Sequence, residues 1–375
     1  MKKKFEIQSL MLTNFKKYSD VHFEFDSMLN IITGKNGVGK TSILDAIRLL
    51  LFGKTYFSGS AKSCISHNSE FMRSAMKLKD HDSDPHTIVA KLQNGKNKVI
   101  EHDGKKVIKL SEYIGQYLSV CVSPDDIKLV NGLSSDRREF MDQAIVQFDK
   151  EYTRHLIKYT KAVQQRNALL KQFLKAGNFE KNLLVAYNQI MIETAPYIFE
   201  ARKNFMNEFE RNFNASYQEI APNYEKVSLI YQSKLAEKNM GDLLSEYAQK
   251  DQYSGRTNVG IHKDELTMIL NNEAIKLYGS QGQIKSYVFA LKIALFEYFV
   301  DRTNRLPVLL LDDMFDKLDQ SRVEKILLQL NEKWGAQVFI SDTDRDRIAT
   351  FLYNSGKKIR HIHIFEDQSI EYDNV

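Results

Sequence analysis

Cysteine is scarce in this chain, with two residues among 375. Cys64 and Cys121 offer neither the paired spacing of a zinc site nor the number of thiols that a disulfide framework needs, as is typical of a reducing cytosol. The sequence also lacks any apolar run near the roughly 18 residues of a membrane span, and Glu6 interrupts the segment after the basic start. We therefore expect a cytoplasmic protein with no signal peptide and no membrane partner.

Internal repeats and low-complexity tracts are also missing, and glycine and proline become rare between residues 140 and 249. Apolar residues recur there at helical spacing, which predicts long helices with a break at Gly177. Heptads are not sustained, so any antiparallel arm is short. We predict that residues 1–140 and 255–375 form the two parts of one domain, and that residues 141–254 form a mostly helical insertion.

Eight consecutive residues fit the phosphate-binding pattern G-x-x-x-x-G-K-[ST]: Gly34, Lys35, Asn36, Gly37, Val38, Gly39, Lys40 and Thr41. In such a loop, backbone N–H groups cradle the phosphates of a nucleotide. Lys40 would reach the β- and γ-phosphates, and the Thr41 hydroxyl would ligate Mg²⁺. The apolar run Leu29–Ile32 precedes the loop as a buried strand, and residues 42–52 follow at helical spacing, so a helix N-terminus faces the phosphates. The sequence therefore predicts a nucleotide-binding site.

The segments between this loop and the insertion alternate between loop and strand patterns. Residues 58–85 predict a loop with a short helix over 70–78, and residues 87–110 predict a three-stranded meander with tight turns. The aromatic and basic turn at 14–18 lies near the entrance of the phosphate loop. It could flank an adenine ring, or it could be an exposed hairpin end.

The meander is rich in lysine, within a chain of net charge +5 and pI about 8.8. Lys96, Lys98, Lys105 and Lys106 belong to it. One interpretation is that these side chains block pairing along an exposed sheet edge. The other is that they contact the backbone of a nucleic acid. A mild basic bias permits such binding without demonstrating it.

Two acids end an apolar strand that starts at Val308. The strand does not alternate, which is typical of a parallel sheet covered on both faces. Asp312 stands where a P-loop NTPase places its Mg²⁺-ligating carboxylate. Asp313 is placed to orient or deprotonate the attacking water. The structural alternative is that the two acids cap a helix.

A second anion-binding pattern opens a helix late in the chain and consists of Ser280, Gln281, Gly282 and Gln283. It combines a hydroxyl and a glycine with a helix N-terminus. Since one phosphate loop already holds a nucleotide, this segment is best explained as binding the γ-phosphate of a nucleotide held by another subunit. ATP would then link two protomers.

Together these motifs resemble the ABC/SMC class of ATPases, and within it the RecF family of bacterial repair proteins. The phosphate loop, residues 279–283 and the acids at 312–313 resemble the P-loop, signature and Walker B motifs of that class. Lys317-Leu318-Asp319 resembles its D-loop, with a helix predicted over 320–334. Three further segments resemble RecF segments: 123–126, 135–138 and 260–264.

The resemblance implies an α/β fold, a P-loop ABC-type ATPase head with a mixed sheet and helices, carrying an inserted mostly helical domain. It implies a weak ATPase that forms a homodimer on ATP and acts on DNA with single-stranded and duplex parts at a gap. It also implies help to RecO and RecR in loading RecA, with roles in repair, replication and SOS induction. Two departures from the general ABC pattern accord with weak hydrolysis. Asp313 stands where a glutamate is usual, and Asp342 stands near where a switch histidine is expected.

Other functions share some of these motifs. An ABC transporter subunit should be shorter between P-loop and signature and should lack the insertion. A P-loop kinase or a nuclease-fused ATPase would need an acceptor site or an acidic metal cluster, and the C-terminal tail offers neither. A non-catalytic DNA clamp is the serious alternative, because it would have the same fold and bind ATP, with hydrolysis incidental.

Overall fold

The computed structural model describes residues 2–57, 61–221, 225–313, 335–344 and 359–374. The predicted D-loop at 317–319 and the predicted helix at 320–334 lie outside the described residues. The chain divides into two compact units. The first unit joins Met1–Asp126 to Lys285–Val375, and the second is Ile127–Ile284.

The strands of the described residues are named in chain order. They are β1 (Glu6–Phe15), β2 (Tyr18–Glu24), β3 (Leu29–Thr33), β4 (Phe71–Lys79), β5 (Pro85–Gln93), β6 (Val99–His102), β7 (Lys105–Lys106), β8 (Ser119–Val122), β9 (Val227–Gln232), β10 (Glu265–Leu270), β11 (Glu273–Ala274), β12 (Val308–Asp312), β13 (Val338–Asp342), β14 (Ile359–Ile364) and β15 (Ile370–Asn374).

The α-helices follow the same convention. They are α1 (Lys40–Phe52), α2 (Leu110–Tyr113), α3 (Lys128–Asn131), α4 (Ser134–Ile145), α5 (Lys150–Ala176), α6 (Val185–Ile220), α7 (Met240–Glu246), α8 (Ala248–Ser254), α9 (Ile275–Tyr278) and α10 (Gln281–Thr303). Of these described helices, none has both the length and the hydrophobicity that crossing a bilayer requires.

A mixed sheet in the first unit has the strand order β15-β14-β3-β13-β12-β8. The pairs from β14 to β8 are parallel, and β15 is antiparallel to β14. All five residues of β12 are buried, as the unalternating apolar run predicts. The carboxyl ends of β3, β12 and β13 therefore meet at one edge of the sheet.

An antiparallel sheet in the same unit has the order β2-β1-β4-β5-β6-β7. It contains the predicted meander, but the helix predicted over 70–78 is wrong. Those residues form β4, in which Met72, Ser74, Met76 and Leu78 are buried and alternate with more exposed neighbours. Burial at every second residue is the period of a strand with one face in the core.

Helix α1 joins these two sheets into one core. It contacts β1, β4 and β5 of the antiparallel sheet and β8, β12 and β13 of the mixed sheet. Ile43 and Ile47 of α1 belong to the same buried cluster as Leu10, Leu310 and Phe339. Because α1 is held on both sides, the loop that leads into it has a fixed position.

The second unit is longer than the predicted insertion at both ends. Its sheet has the order β11-β10-β9, so β10, which the sequence assigned to the other domain, pairs with β9 instead. Arg202 of α6 is buried and pairs with Asp264 just before β10, with 2.8 Å between Nη1 and Oδ2. These contacts between distant segments set the unit's bounds at 127 and 284 rather than at 141 and 254.

Candidate functional site

The phosphate loop connects β3 to α1 in a conformation that requires glycine. Gly34, Gly37 and Gly39 have φ angles of 150°, 83° and 118°. A Cβ on Gly34 would lie 2.4 Å from the carbonyl oxygen of Ile364, and one on Gly39 would lie 2.7 Å from the hydroxyl of Tyr18. The loop can therefore keep this backbone conformation only if these three residues have no side chain.

Lys40 begins α1 and folds back over the loop. Its Nζ donates to the carbonyl oxygens of Gly34 at 2.6 Å and of Lys35 at 3.0 Å. Burial lowers the pKa of Lys40, while the nearby carboxylates of Asp313 and Asp312 act in the opposite direction. The ammonium is thus held inside the loop that would surround a bound phosphate.

Thr41 lies beside the acid that ends β12. The Thr41 hydroxyl is 2.9 Å from Oδ1 and 3.1 Å from Oδ2 of Asp312, and the Ser341 hydroxyl donates to Oδ1 at 2.5 Å. Burial raises the pKa of Asp312, and the Asp313 carboxylate adds to that rise. A hydroxyl and a carboxylate on adjoining elements are the hard oxygen donors that suit Mg²⁺.

Asp313 follows Asp312 in an unusual backbone conformation. Its φ is +48°, and its N–H faces Ser341, 3.1 Å from the carbonyl oxygen and 3.2 Å from the hydroxyl. Asp342 ends the neighbouring strand β13, is fully buried, and accepts a hydrogen bond from the Asp344 N–H at 2.8 Å. The position near which a switch histidine was expected thus holds a buried acid beside the site.

A cleft of about 410 Å³ lies in front of these groups. It is lined by Lys16, Lys17, Asn36, Gly37, Gly39, Lys40, Thr41, Ser42, Pro124, Asp312, Asp313 and Ser341. The turn at 14–18 contributes its two lysines to this wall. Phe15 and Tyr18 are fully buried, so the aromatic rings of that turn belong to the core and do not flank an adenine.

Sequence reasoning gave no role to Ser341 or Asp45. Ser341 holds both Asp312 and Asp313, and Asp45 accepts a hydrogen bond from Lys16 Nζ at 2.8 Å. Asp45 also accepts from the backbone N–H of Tyr56 at 2.8 Å. For Asp45, the sequence does contain a clue: it is an acidic residue within the apolar helix that follows the P-loop. A carboxylate buried in such a helix needs hydrogen-bond partners.

The signature segment lies at the end of the second unit, where α10 begins. Ser280 and Gln283 form a reciprocal cap: the Ser280 N–H donates to Gln283 Oε1 at 2.8 Å, and the Gln283 N–H donates to Ser280 Oγ at 3.2 Å. Gln283 Nε2 also donates to Glu225 at 2.8 Å. Ser280, Gln281 and Gly282 are exposed, and within the part of the chain that the structure describes a Cβ on Gly282 would meet no atom within 4 Å.

The four lysines of the meander differ in their exposure and in their hydrogen-bond partners. Lys98 donates to the carbonyl oxygen of Gly53, just past the end of α1, and burial lowers its pKa. Lys96, Lys105 and Lys106 are exposed. Lys98 therefore caps the C-terminal end of α1. The other three lysines remain candidates for contact with a nucleic acid.

Comparison with known proteins gives consistent matches along the chain. The AAA domain family matches residues 9–338. A relative from Flavobacterium johnsoniae named DNA replication and repair protein RecF is 42% identical over 91% of this chain and 95% of its own. The protein of the same name from Bacteroides fragilis is 36% identical over 96% of both chains.

Solved structures agree with the sequence relatives. The recombination mediator protein RecF of the RecFOR pathway, solved with ATP and with ATPrS, superposes with TM-scores of 0.88 and 0.86 at 26% identity. These matches cover 98% and 99% of this chain and 98% of each RecF chain. An SMC head bound to the C-winged helix domain of ScpA shares the fold, with a TM-score of 0.58 over 99% of this chain and 97% of its own at 15% identity. The predicted ABC/SMC-type α/β fold is confirmed.

Proposed function

The chain belongs to the RecF family of DNA replication and repair proteins, and from this we propose that it is an ATP-dependent DNA-binding protein of recombinational repair. The observation that carries the proposal is the convergence of three groups on one cleft. Lys40 lies at the loop, Thr41 is paired with Asp312, and Asp313 follows on the same strand end. This is the set of groups that positions a nucleoside triphosphate and neutralises its phosphates.

Thr41 and Asp312 would hold Mg²⁺, which neutralises phosphate charge when bound. Gly34, Lys35, Asn36, Gly37, Val38 and Gly39 would offer backbone N–H groups to the phosphates. Asp313, lining the cleft, would orient or deprotonate the attacking water. Its side chain is one methylene shorter than the usual glutamate, so we expect slow hydrolysis that acts as a switch.

ATP would join two copies of the chain. Ser280, Gln281, Gly282 and Gln283 begin a helix of 23 residues and leave an exposed hydroxyl and glycine at its N-terminus. A helix start of this kind suits the γ-phosphate of a nucleotide held by the partner. The dimer would then contain two nucleotide sites, each formed by the phosphate loop of one copy and the signature segment of the other. It would persist until the triphosphates are hydrolysed.

The dimer would act at gaps where single-stranded DNA meets duplex, and would help RecO and RecR to load RecA. Roles in replication and in SOS induction would follow from the same action. The exposed lysines Lys96, Lys105 and Lys106 support a sequence-independent contact with DNA phosphates.

ATP turnover, measured with and without gapped DNA, tests this function. A switch should show slow turnover that rises with gapped DNA, and dimers that dissociate as ATP is consumed. The alternative function, a non-catalytic clamp, predicts ATP-dependent dimers on DNA whose lifetime does not change when ATP is replaced by a non-hydrolysable analogue. Absence of ATP binding would contradict both.

A further inference from the structure

Two histidines and an aspartate converge at one end of the antiparallel sheet, away from the residues that line the nucleotide cleft. His86 lies in β5, His102 ends β6, and Asp103 occupies the turn before β7. Ile88 pairs with His102 across the two strands, so His86, two residues earlier, is the diagonal neighbour of His102 on the same face. One nitrogen from each histidine and one carboxylate oxygen lie within 4.8 Å of one another.

The Asp103 carboxylate lies between the two rings. Its Oδ2 is 2.7 Å from Nδ1 of His86 and 3.8 Å from Nδ1 of His102. In a tetrahedral site with ligands at 2.0–2.2 Å, neighbouring donor atoms are about 3.3–3.6 Å apart. The two observed distances bracket that range. The two rings lie at 19° to each other with their centroids 5.3 Å apart, so they must rotate out of this stack before both Nδ1 atoms can point at one cation.

Each donor is oriented by a second partner through its other polar atom. His86 Nε2 lies 3.5 Å from Asp80 Oδ2, and His102 Nε2 lies 2.9 Å from the Tyr117 hydroxyl. Asp103 Oδ1 accepts the Thr87 N–H at 2.8 Å. When the Nε2 atoms carry the ring protons, the Nδ1 lone pair of His86 faces Asp103 Oδ2, and Nδ1 of His102 lies 3.8 Å from the same oxygen. A histidine that donates one ring N–H to a carboxylate or hydroxyl while the other nitrogen faces a cation is the usual arrangement of metal ligands.

We propose that His86, His102 and Asp103 form a binding site for a divalent transition-metal ion of the Zn²⁺ type, with a water as fourth ligand. Two imidazoles and a carboxylate match the nitrogen and oxygen donors that Zn²⁺ takes. The ion would tie β5 to the β6–β7 turn. The three residues of this cation site are not among those that line the nucleotide cleft.

The test uses the full chain after chelator treatment, titrated with Zn²⁺ in competition with a chromophoric chelator. We expect one Zn²⁺ per chain, and a visible tetrahedral absorption band when Co²⁺ replaces it. Asp103→Asn should remove this binding, and it should fold because Asn tolerates the φ of +50° at this turn. His86→Gln should do the same.

A separate variant tests whether Asp80 orients His86, because Asp80 contacts His86 but is not one of the proposed ligands of the ion. Asp80→Asn should weaken Zn²⁺ binding by about 10- to 100-fold while retaining the Co²⁺ band. The controls are His22→Ala, an exposed histidine on β2, and His81→Ala, in the loop that follows β4. Both should bind Zn²⁺ like the wild type.

Two results would overturn the assignment. One is Zn²⁺ uptake by the wild-type chain no greater than that of Asp103→Asn. The other is loss of binding in His81→Ala with retention in His86→Gln, which would move the ion to the exposed loop at 80–82. ATP binding, measured on every variant, verifies that the unit is folded.

Discussion

The hydroxyl of Thr41 donates to the carboxylate of Asp312, 2.9 Å from one oxygen and 3.1 Å from the other. The first residue lies at the start of α1 and the second at the end of β12, so this hydrogen bond links the phosphate loop to the strand that carries the acids. The two groups expected to hold Mg²⁺ are thus already adjacent, and the nucleotide site is largely formed within one unit.

Lys40→Ala should weaken ATP binding severely. The ammonium makes charge-assisted hydrogen bonds that are worth about 1.5–3 kcal/mol each, so the loss of one alone corresponds to about 10- to 150-fold in affinity. Lys35→Ala is the matched control, because Lys35 lies in the same loop but makes an exposed pair with Glu366 at 2.6 Å. Fluorescent-nucleotide titration should find the control near wild type. Wild-type affinity in Lys40→Ala would refute the site.

Asp313→Asn should separate ATP binding from hydrolysis. Asn keeps the size of the side chain and tolerates the φ of +48°, but it cannot take a proton from water. We expect turnover to fall by about 10²- to 10⁴-fold if Asp313 is the general base, with ATP-bound dimers accumulating in sedimentation. Turnover at the wild-type rate would leave Asp313 with a structural role only.

Ser280→Arg should retain ATP binding by the monomer and lose ATP-driven dimers, because it places a bulky cation at a closed interface. Ser280 also caps α10, so a second variant is needed that leaves the cap intact. Ser280→Asp retains a capping side chain and brings a negative charge against the partner's phosphate. Sedimentation should show both variants as monomers with ATP. Normal dimers in both would exclude the proposed arrangement.

Gly282→Ala tests the same interface with the smallest possible change. A Cβ at Gly282 would meet no atom of the described residues within 4 Å, so we expect folding to be unaffected. If a partner's nucleotide lies against it, the added methyl should cost about 1–3 kcal/mol, or about 5- to 150-fold in dimer affinity. An unchanged dimer constant would show that this surface is not covered.

Replacing Lys96, Lys105 and Lys106 by Gln should weaken DNA binding without sequence preference. Each phosphate contact contributes about 0.9 to the slope of log K against log salt, which gives an upper limit near 2.7 for three lysines. Lys105 and Lys106 project to opposite faces of β7, so we expect the slope to shrink by about 2. Lys98→Gln should leave the slope unchanged, since Lys98 binds Gly53. An unchanged slope in the triple variant would place the DNA contact elsewhere.

Asp312→Asn should stabilise the protein in the absence of nucleotide at neutral pH. The pKa of Asp312 is raised, so the folded state holds its proton more tightly than the unfolded chain does, and wild-type stability falls as pH rises through that pKa. Asn has no ionisable carboxyl group, so the variant does not lose stability in this way as the pH rises. Its melting temperature without nucleotide should exceed that of the wild type near pH 7, and the difference should shrink on acidification. A difference that does not change with pH would contradict this.

The parts of the site that depend on local patterns could be predicted from the sequence. The loop Gly34–Thr41 and the strand ending at Asp312 appear where the motifs indicate, because glycine requirements and apolar runs are properties of short segments. The roles of Lys40, Thr41, Asp312, Asp313 and Ser280–Gln283 in binding or hydrolysing a nucleotide stay predictions.

Features that depend on distant partners could not be predicted. The segment 70–78 forms a strand because it pairs with β1 and β5, and its buried serine and methionines do not mark it as one. The second unit extends to Ile284 because β10 pairs with β9 and not with a strand of the first unit. The contact of Lys98 with the Gly53 carbonyl oxygen cannot be read from the sequence, because the two residues are 45 positions apart.

The position of β3 in its sheet has a consequence for synthesis. Its two sheet neighbours in the described chain are β13 and β14, which begin at residues 338 and 359, whereas β3 itself begins at residue 29. At ordinary translation rates, the strand that leads into the phosphate loop emerges on the order of 15 to 60 s before either neighbour exists. A nascent chain should therefore be unable to retain ATP until β13 and β14 have left the ribosome, and nucleotide binding would report that both strands have joined the sheet.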